Sequence, residues 1–141
     1  AKEAKDGVAV FFVDLDRFKF INDTLGHSAG DAIITTAADR LRRALGDKPL
    51  IARMGGDEFI LLLADCSQAE AQDTVKRILE QVAGTPVGRS DDQARATLSA
   101  GLLYINPTNT QHPLQGLIDA ADKLMYESKE AGGNRITNRV V

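Results

Sequence analysis

Two short apolar runs, residues 50–54 and 59–64, stand on either side of Gly55-Gly56-Asp57-Glu58. Strand-forming runs divided by so short a polar and glycine-rich stretch read as a hairpin. A hairpin requires antiparallel pairing, which an all-parallel doubly wound sheet does not contain. Strand and helix signals alternate along the rest of the chain, so the expected class is α+β, with helices against a mixed or antiparallel sheet.

The remaining signals fill in that frame. Residues 8–13 are β-branched and aromatic with no polar alternation, the pattern of a strand covered on both faces. Ser28 is the expected N-cap of a helix, with Asp31 three residues on. Ile33, Ile34, Ala37, Ala38, Leu41 and Leu45 follow at helical spacing before Gly46 ends it. Ser67 and Glu70 have capping-box spacing and open a second helix that turns Ala71, Val75, Ile78, Leu79 and Val82 inward. Residues 84–92 read as loop and 97–105 as strand. Residues 113–131 read as a third helix, with Leu114, Leu117, Ile118, Ala121, Leu124 and Met125 inward. Gly132-Gly133 stops it, and 136–141 is a final strand.

Composition narrows the function. At 141 residues and 43% hydrophobic content, the expectation is one domain, 1–141, with a core of useful size. Seventeen basic against twenty acidic residues leave a formal charge of −3, so no cationic field holds the chain on nucleic acid. The longest apolar runs fall far short of the roughly 20 residues that a membrane-spanning helix needs. A single cysteine, Cys66, cannot form an internal disulfide, which fits a reducing compartment and a cytoplasmic location. Residues 1–6 read as the last turn of a helix cut from something longer.

The chemistry lies in two acidic clusters, Asp14 and Asp16 at the end of the first strand, and Asp57 and Glu58 at the hairpin tip. If those strands are neighbours, the carboxylates converge and repel unless a hard divalent cation neutralises them. Mg²⁺ takes one or two carboxylates with phosphate oxygens and water, an arrangement that suits nucleotidyl transfer. The alternative is that Asp14 and Asp57 merely end strands. Lys19 follows on the turn after the strand, where backbone N–H groups can cradle phosphate. Asn22 and Asp31 offer an amide and a carboxylate able to pair with the edge of a guanine. Against this, each is also an ordinary surface polar residue, and Asp31 a charge at a helix N-terminus.

Val13-Asp14-Leu15-Asp16-Arg17-Phe18-Lys19-Phe20-Ile21-Asn22-Asp23-Thr24-Leu25-Gly26-His27, Gly30-Asp31 and Arg53-Met54-Gly55-Gly56-Asp57-Glu58-Phe59 together closely resemble the GGDEF family of diguanylate cyclases. The stretch from Tyr126 to Arg135 resembles that family's Y-x-A-K-x-x-G-R-N segment, so the likeness covers nearly the whole chain. It implies a palm-like domain related to nucleotide cyclases and polymerases, a mostly antiparallel sheet flanked by helices. It also implies condensation of two GTP into cyclic di-GMP and pyrophosphate by a homodimer, with an attached sensor or output domain in the full-length protein. By matching position, Asp14, the Leu15 carbonyl and Asp57 would bind Mg²⁺, with Mn²⁺ as a substitute. Asp57 or Glu58 would assist deprotonation of the attacking hydroxyl. Asn22 and Asp31 would read guanine, His27 would lie beside the nucleotide, and Lys19 and Lys129 would grip the phosphates. Gly55 and Gly56 would let the turn backbone approach the α-phosphate.

Three departures from the family pattern set further expectations. The family's D-x-L-T-x-L-x-N-R segment is not among these 141 residues, which are expected to begin where its helix would be ending. The R-x-x-D product-inhibition motif is replaced by Gly46-Asp47-Lys48-Pro49, so feedback inhibition by that route should be lost; Arg89-Ser90-Asp91-Asp92 matches as a string but lies downstream in a loop. A phosphate-binding arginine is replaced by Gly133, which favours lowered turnover unless Arg135 substitutes. This departure and the absent inhibition motif both favour a second reading, a weakly active or inactive GTP-binding module that controls an attached domain such as a phosphodiesterase.

Overall fold

The computed structural model describes residues 7–46, 50–54, 57–83, 97–107 and 113–141. The first strand, β1 (Gly7–Leu15), runs through the centre of a five-stranded sheet of order β2-β3-β1-β4-β5, completed by β2 (Leu50–Arg53), β3 (Glu58–Cys66), β4 (Leu98–Ile105) and β5 (Ile136–Val140). β1 pairs antiparallel with both β3 and β4, and β2 with β3. Among the described strands, only β5 runs parallel to its neighbour, β4. The helix α4 (Leu114–Glu130) between β4 and β5 is the crossover that parallel pairing requires. The uninterrupted apolar character of β1 is explained by its place, since both its edges and both its faces are occupied.

Strand alternation divides the core into two layers. Ala9, Phe11, Val13 and Leu15 pack with Ile33, Ile34, Ala37 and Leu41 of α2 (His27–Leu45) and with Ala71, Val75 and Ile78 of α3 (Gln68–Ala83). Val10 and Phe12 face the other way, against Ala121, Leu124 and Met125 of α4. Asp14 shares their parity and therefore falls on the α4 side. Gly101 makes close packing of that side feasible, because a Cβ there would run into the backbone of α4 at Ala121 O and Met125 N.

The capping box of α3 forms as the spacing predicts. Glu70 N–H donates to Ser67 Oγ at 3.1 Å, and Ser67 N–H donates to Glu70 Oε1 at 2.9 Å. Ser28 does not cap α2, which begins one residue earlier with Gly26 at the cap position and no side-chain cap. Gly26 has φ +93° and closes the preceding turn through its N–H to Asn22 O, so the backbone itself makes the corner. That preceding turn belongs to α1 (Phe18–Leu25), a helix the periodicity does not reveal. Lys19 consequently lies within a helix rather than on a turn. Leu114, expected to face inward, is 62% exposed at the first position of α4. The expected loop at 84–92, with Arg89 to Asp92 inside it, lies outside the described residues, as do Gly55, Gly56, Asp47, Lys48 and Pro49.

Candidate active site

The acidic strand ends do converge. Register places Asp14 directly opposite Glu58, and Leu15 N–H donates to Asp57 O at 3.1 Å, which fastens the hairpin tip to the end of β1. Asp14 is only 9% exposed, and its Oδ1 has no hydrogen-bond partner among the described residues. Burial, a side-chain hydrogen bond shared with Asp57, and the charges of Asp57 and Glu58 push its pKa up to about 8, against the opposing pull of Lys129. Glu58 is also raised, by burial first and then by the charges of Asp57 and of Asp122 on α4.

Lys129, in the last turn of α4, reaches into this cluster. Its Nζ lies 3.6 Å from Asp14 Oδ2 and 3.4 Å from Asp16 Oδ1, and donates to Leu15 O at 3.3 Å. The turn that carries it is fixed by its neighbour, Ser128, whose buried hydroxyl donates to Ala100 O at 2.8 Å and meets Thr137 Oγ1 at 2.7 Å. Asp16 behaves oppositely to Asp14. Burial alone would raise its pKa, but hydrogen bonds from Ser99, Thr97 and the Asn134 N–H, with the Lys129 charge, hold it below the ordinary carboxylate range.

Beside these groups opens a cleft of about 440 Å³ lined by Asp16, Arg17, Thr97, Lys129, Gly132 and Gly133. Arg17 adopts left-handed backbone at φ +55°. Gly133 has φ +78°, and a Cβ there would lie 3.1 to 3.2 Å from the Asp16 carboxyl group. Arg135 folds back over the turn, its Nε donating to Gly133 O at 3.0 Å.

The expected base-reading residues sit apart, on α1 and α2. Asn22 Oδ1 is buried without a partner among the described residues and is aimed at Gly30, where a Cβ would collide with it. Asp31 and His27 are exposed on α2, and Lys19 is exposed on α1. Of the expected residues, the structure thus brings Asp14, Leu15, Asp57, Glu58 and Lys129 into one cluster. Lys19 does not line the cleft that Lys129 lines. Sequence reasoning missed the hydroxyls of Thr97 and Ser99, the Asn134 N–H and Asp122; the second acid of Asp14-Leu15-Asp16 was the one signal for the first three.

Among the described residues no three His, Cys, Asp or Glu side chains surround a common point. An unpartnered buried carboxylate oxygen beside a second carboxylate, with a strand-end carbonyl at Leu15, is nonetheless a donor set suited to a hard cation that keeps some of its water. Among the described residues, no helix is long and apolar enough to cross a membrane.

Comparison with known proteins places this geometry in a family. The model of the diguanylate cyclase GGDEF domain matches residues 1–135, and the chain belongs to that family. It is 33% identical over 135 residues to diguanylate cyclase A of Treponema denticola, covering 96% of this chain and 36% of that protein. It is 39% identical over 137 residues to the diguanylate cyclase TpbB of Pseudomonas aeruginosa, covering 96% and 31%. Among solved structures, the active GGEEF domain of a diguanylate cyclase from Vibrio cholerae superposes with a TM-score of 0.84 at 26% identity, covering 94% of this chain and 83% of that one. The chain spans about a third or less of the length of these curated relatives.

Proposed function

We propose that this chain is the catalytic domain of a diguanylate cyclase, joining two GTP into cyclic di-GMP with release of pyrophosphate, each of two domains in a homodimer holding one nucleotide. The observation that carries this reading is the Oδ1 of buried Asp14, unpartnered among the described residues and held against Asp57 by the Leu15 to Asp57 backbone bond. Protein interiors rarely leave such an oxygen unsatisfied, and a cation would satisfy it. Asp14, the Leu15 carbonyl and Asp57 would hold Mg²⁺, with Mn²⁺ as the substitute. Bound there, the metal would polarise the α-phosphate and lower the pKa of the attacking 3′-hydroxyl.

The rest of the work falls to side chains. Asn22 and Asp31 would pair with the guanine edge. Lys129 would draw phosphate oxygens toward the metal ligands, with Lys19 a second cation at the α1 end and His27 beside the nucleotide. Either hairpin acid can take the hydroxyl proton. Glu58, whose proton affinity is raised by burial and by Asp57 and Asp122, acts on Asp14 through its charge alone, whereas Asp57 shares a side-chain hydrogen bond with it. Gly55 and Gly56 would let the turn approach the α-phosphate. We also place the domain in the cytoplasm, attached to a sensor or output domain.

Gly133 favours a second reading, a GTP-binding regulatory module of low turnover, because the cleft lacks a cation where the family segment carries arginine. One assay separates the two. GTP and Mg²⁺ are incubated at several protein concentrations, with chromatography of the products and an Asp57→Ala control. Cyclic di-GMP formed at a rate that rises faster than linearly with protein, and reduced ~10²-fold or more in the control, is the expected result. Bound but unconverted GTP would establish the regulatory module, and full activity in Asp57→Ala would remove the metal assignment.

A further inference from the structure

Asp16 Oδ1 accepts from Ser99 Oγ at 2.6 Å and lies 3.4 Å from Lys129 Nζ. Its Oδ2 accepts from Thr97 Oγ1 at 2.7 Å and from the Asn134 N–H at 2.8 Å. A carboxylate offers about four lone-pair sites, and here each oxygen already faces two donors. Asp14, two residues earlier and near the end of the same strand, keeps an oxygen with none among the described residues. The two acids of one Asp-Leu-Asp run therefore differ in what they have left to give.

The donors on Asp16 come from three separate elements, the start of β4, the last turn of α4 and the turn into β5. Gly133, at φ +78°, lies close against the same carboxyl group, with space for a Cβ closed to 3.1 Å. Among the described residues Lys129 has three acceptors within 3.6 Å, and of these Asp14 and Leu15 O belong to the proposed metal site. Of the three, Asp16 is the one that lines the cleft of about 440 Å³, whose other charged lining residues are Arg17 and Lys129 itself.

We propose that Asp16 is a positioning residue rather than a metal ligand, fixing Lys129 and the 132–135 turn as the wall that receives the polyphosphate of the nucleotide. This role deepens, and depends on, the nucleotide reading given above. Lysine has a long flexible stem, and an ammonium group held in place before the ligand arrives loses less side-chain freedom on binding.

The probe of the wall is inorganic tripolyphosphate, measured by calorimetry without metal, alongside GTP turnover across a Mg²⁺ series. Asp16→Asn keeps the volume and removes the charge facing Lys129. Its tripolyphosphate Kd and GTP KM should each rise about fivefold to tenfold, as for a lost charge-assisted bond, while the Mg²⁺ concentration for half-maximal rate stays within about twofold. Thr97→Val combined with Ser99→Ala keeps the acid but strips two donors, and should move the same quantities in the same direction. It also decides the matter if Asp16→Asn fails to fold. A tenfold rise in the Mg²⁺ requirement with phosphate affinity intact would make Asp16 a ligand and overturn the assignment. So would unchanged constants in both variants, or no tripolyphosphate binding by the unaltered chain. If the unaltered chain binds tripolyphosphate yet makes no cyclic di-GMP, the cyclase reading fails while the calorimetric comparison still decides the role of Asp16.

Discussion

Gly133 sets two opposed effects at one atom. Arginine there would bring a cation to the cleft, and a charge-assisted phosphate contact contributes on the order of 1.5–3 kcal/mol. It would also force a side chain onto backbone at φ +78° and press its Cβ to 3.1 Å from the Asp16 carboxyl group; left-handed backbone costs a non-glycine residue roughly 1–2 kcal/mol. Gly133→Arg should therefore lower the melting temperature by about 2–8 °C while reducing the KM for GTP. Calorimetry and steady-state kinetics on one preparation check both, and an unchanged KM would show that position 133 does not meet phosphate. The lowered turnover expected from sequence at this position took no account of the strain, because φ is set by the fold and not by the residue type. The convergence of Asp14 and Asp57 was legible because both acids stand at the edges of apolar runs that read as neighbouring strands. The Asp16 bonds were not, since their partners lie 81, 83 and 118 residues away.

At the scale of elements, the signals that survive are those whose physics is local. The Ser67–Glu70 box closes within three residues, and both its bonds form. Ser67→Ala should cost about 1 kcal/mol and lower the melting temperature by roughly 2–7 °C. Turnover should hold, because α3 packs on the face of the sheet opposite Asp14; a matching loss of kcat would mean that α3 supports the site. Ser28 shows the limit of the same rule. It has the composition of a cap, yet Gly26 reaches φ +93° and makes the corner before Ser28 is needed. α1 escaped because eight residues with Ile21 as their one buried side chain leave almost no period to detect. The hairpin at residues 50–64 was enough to exclude an all-parallel sheet, whereas the parallel β4–β5 pair follows from where α4 lands, a tertiary fact.

For the whole molecule, the site makes stability depend on pH and metal together. Asp14 carries a native pKa of about 8 against an ordinary 3.8, so between those values the native state keeps a proton that the unfolded chain has released. Stability from this group is full below about pH 4 and declines as pH rises toward 8. Asp16, lowered in the native state, contributes above the ordinary carboxylate pKa and loses that contribution as pH falls below it. Without metal, these two groups thus place the optimum on the acidic side, and the melting temperature should fall from pH 5 to pH 8. A divalent cation on Asp14 replaces the proton, and its affinity grows as the carboxyl group ionises. Millimolar Mg²⁺ should therefore raise the melting temperature more at pH 8 than at pH 5 and flatten the decline. Asp14→Asn removes both the titrating group and a ligand, so its melting temperature should vary less with pH and respond weakly to Mg²⁺. If that variant retains the full metal-free decline, the strain on the fold comes from another group, and the buried acid at the end of β1 is not what couples folding to the cation.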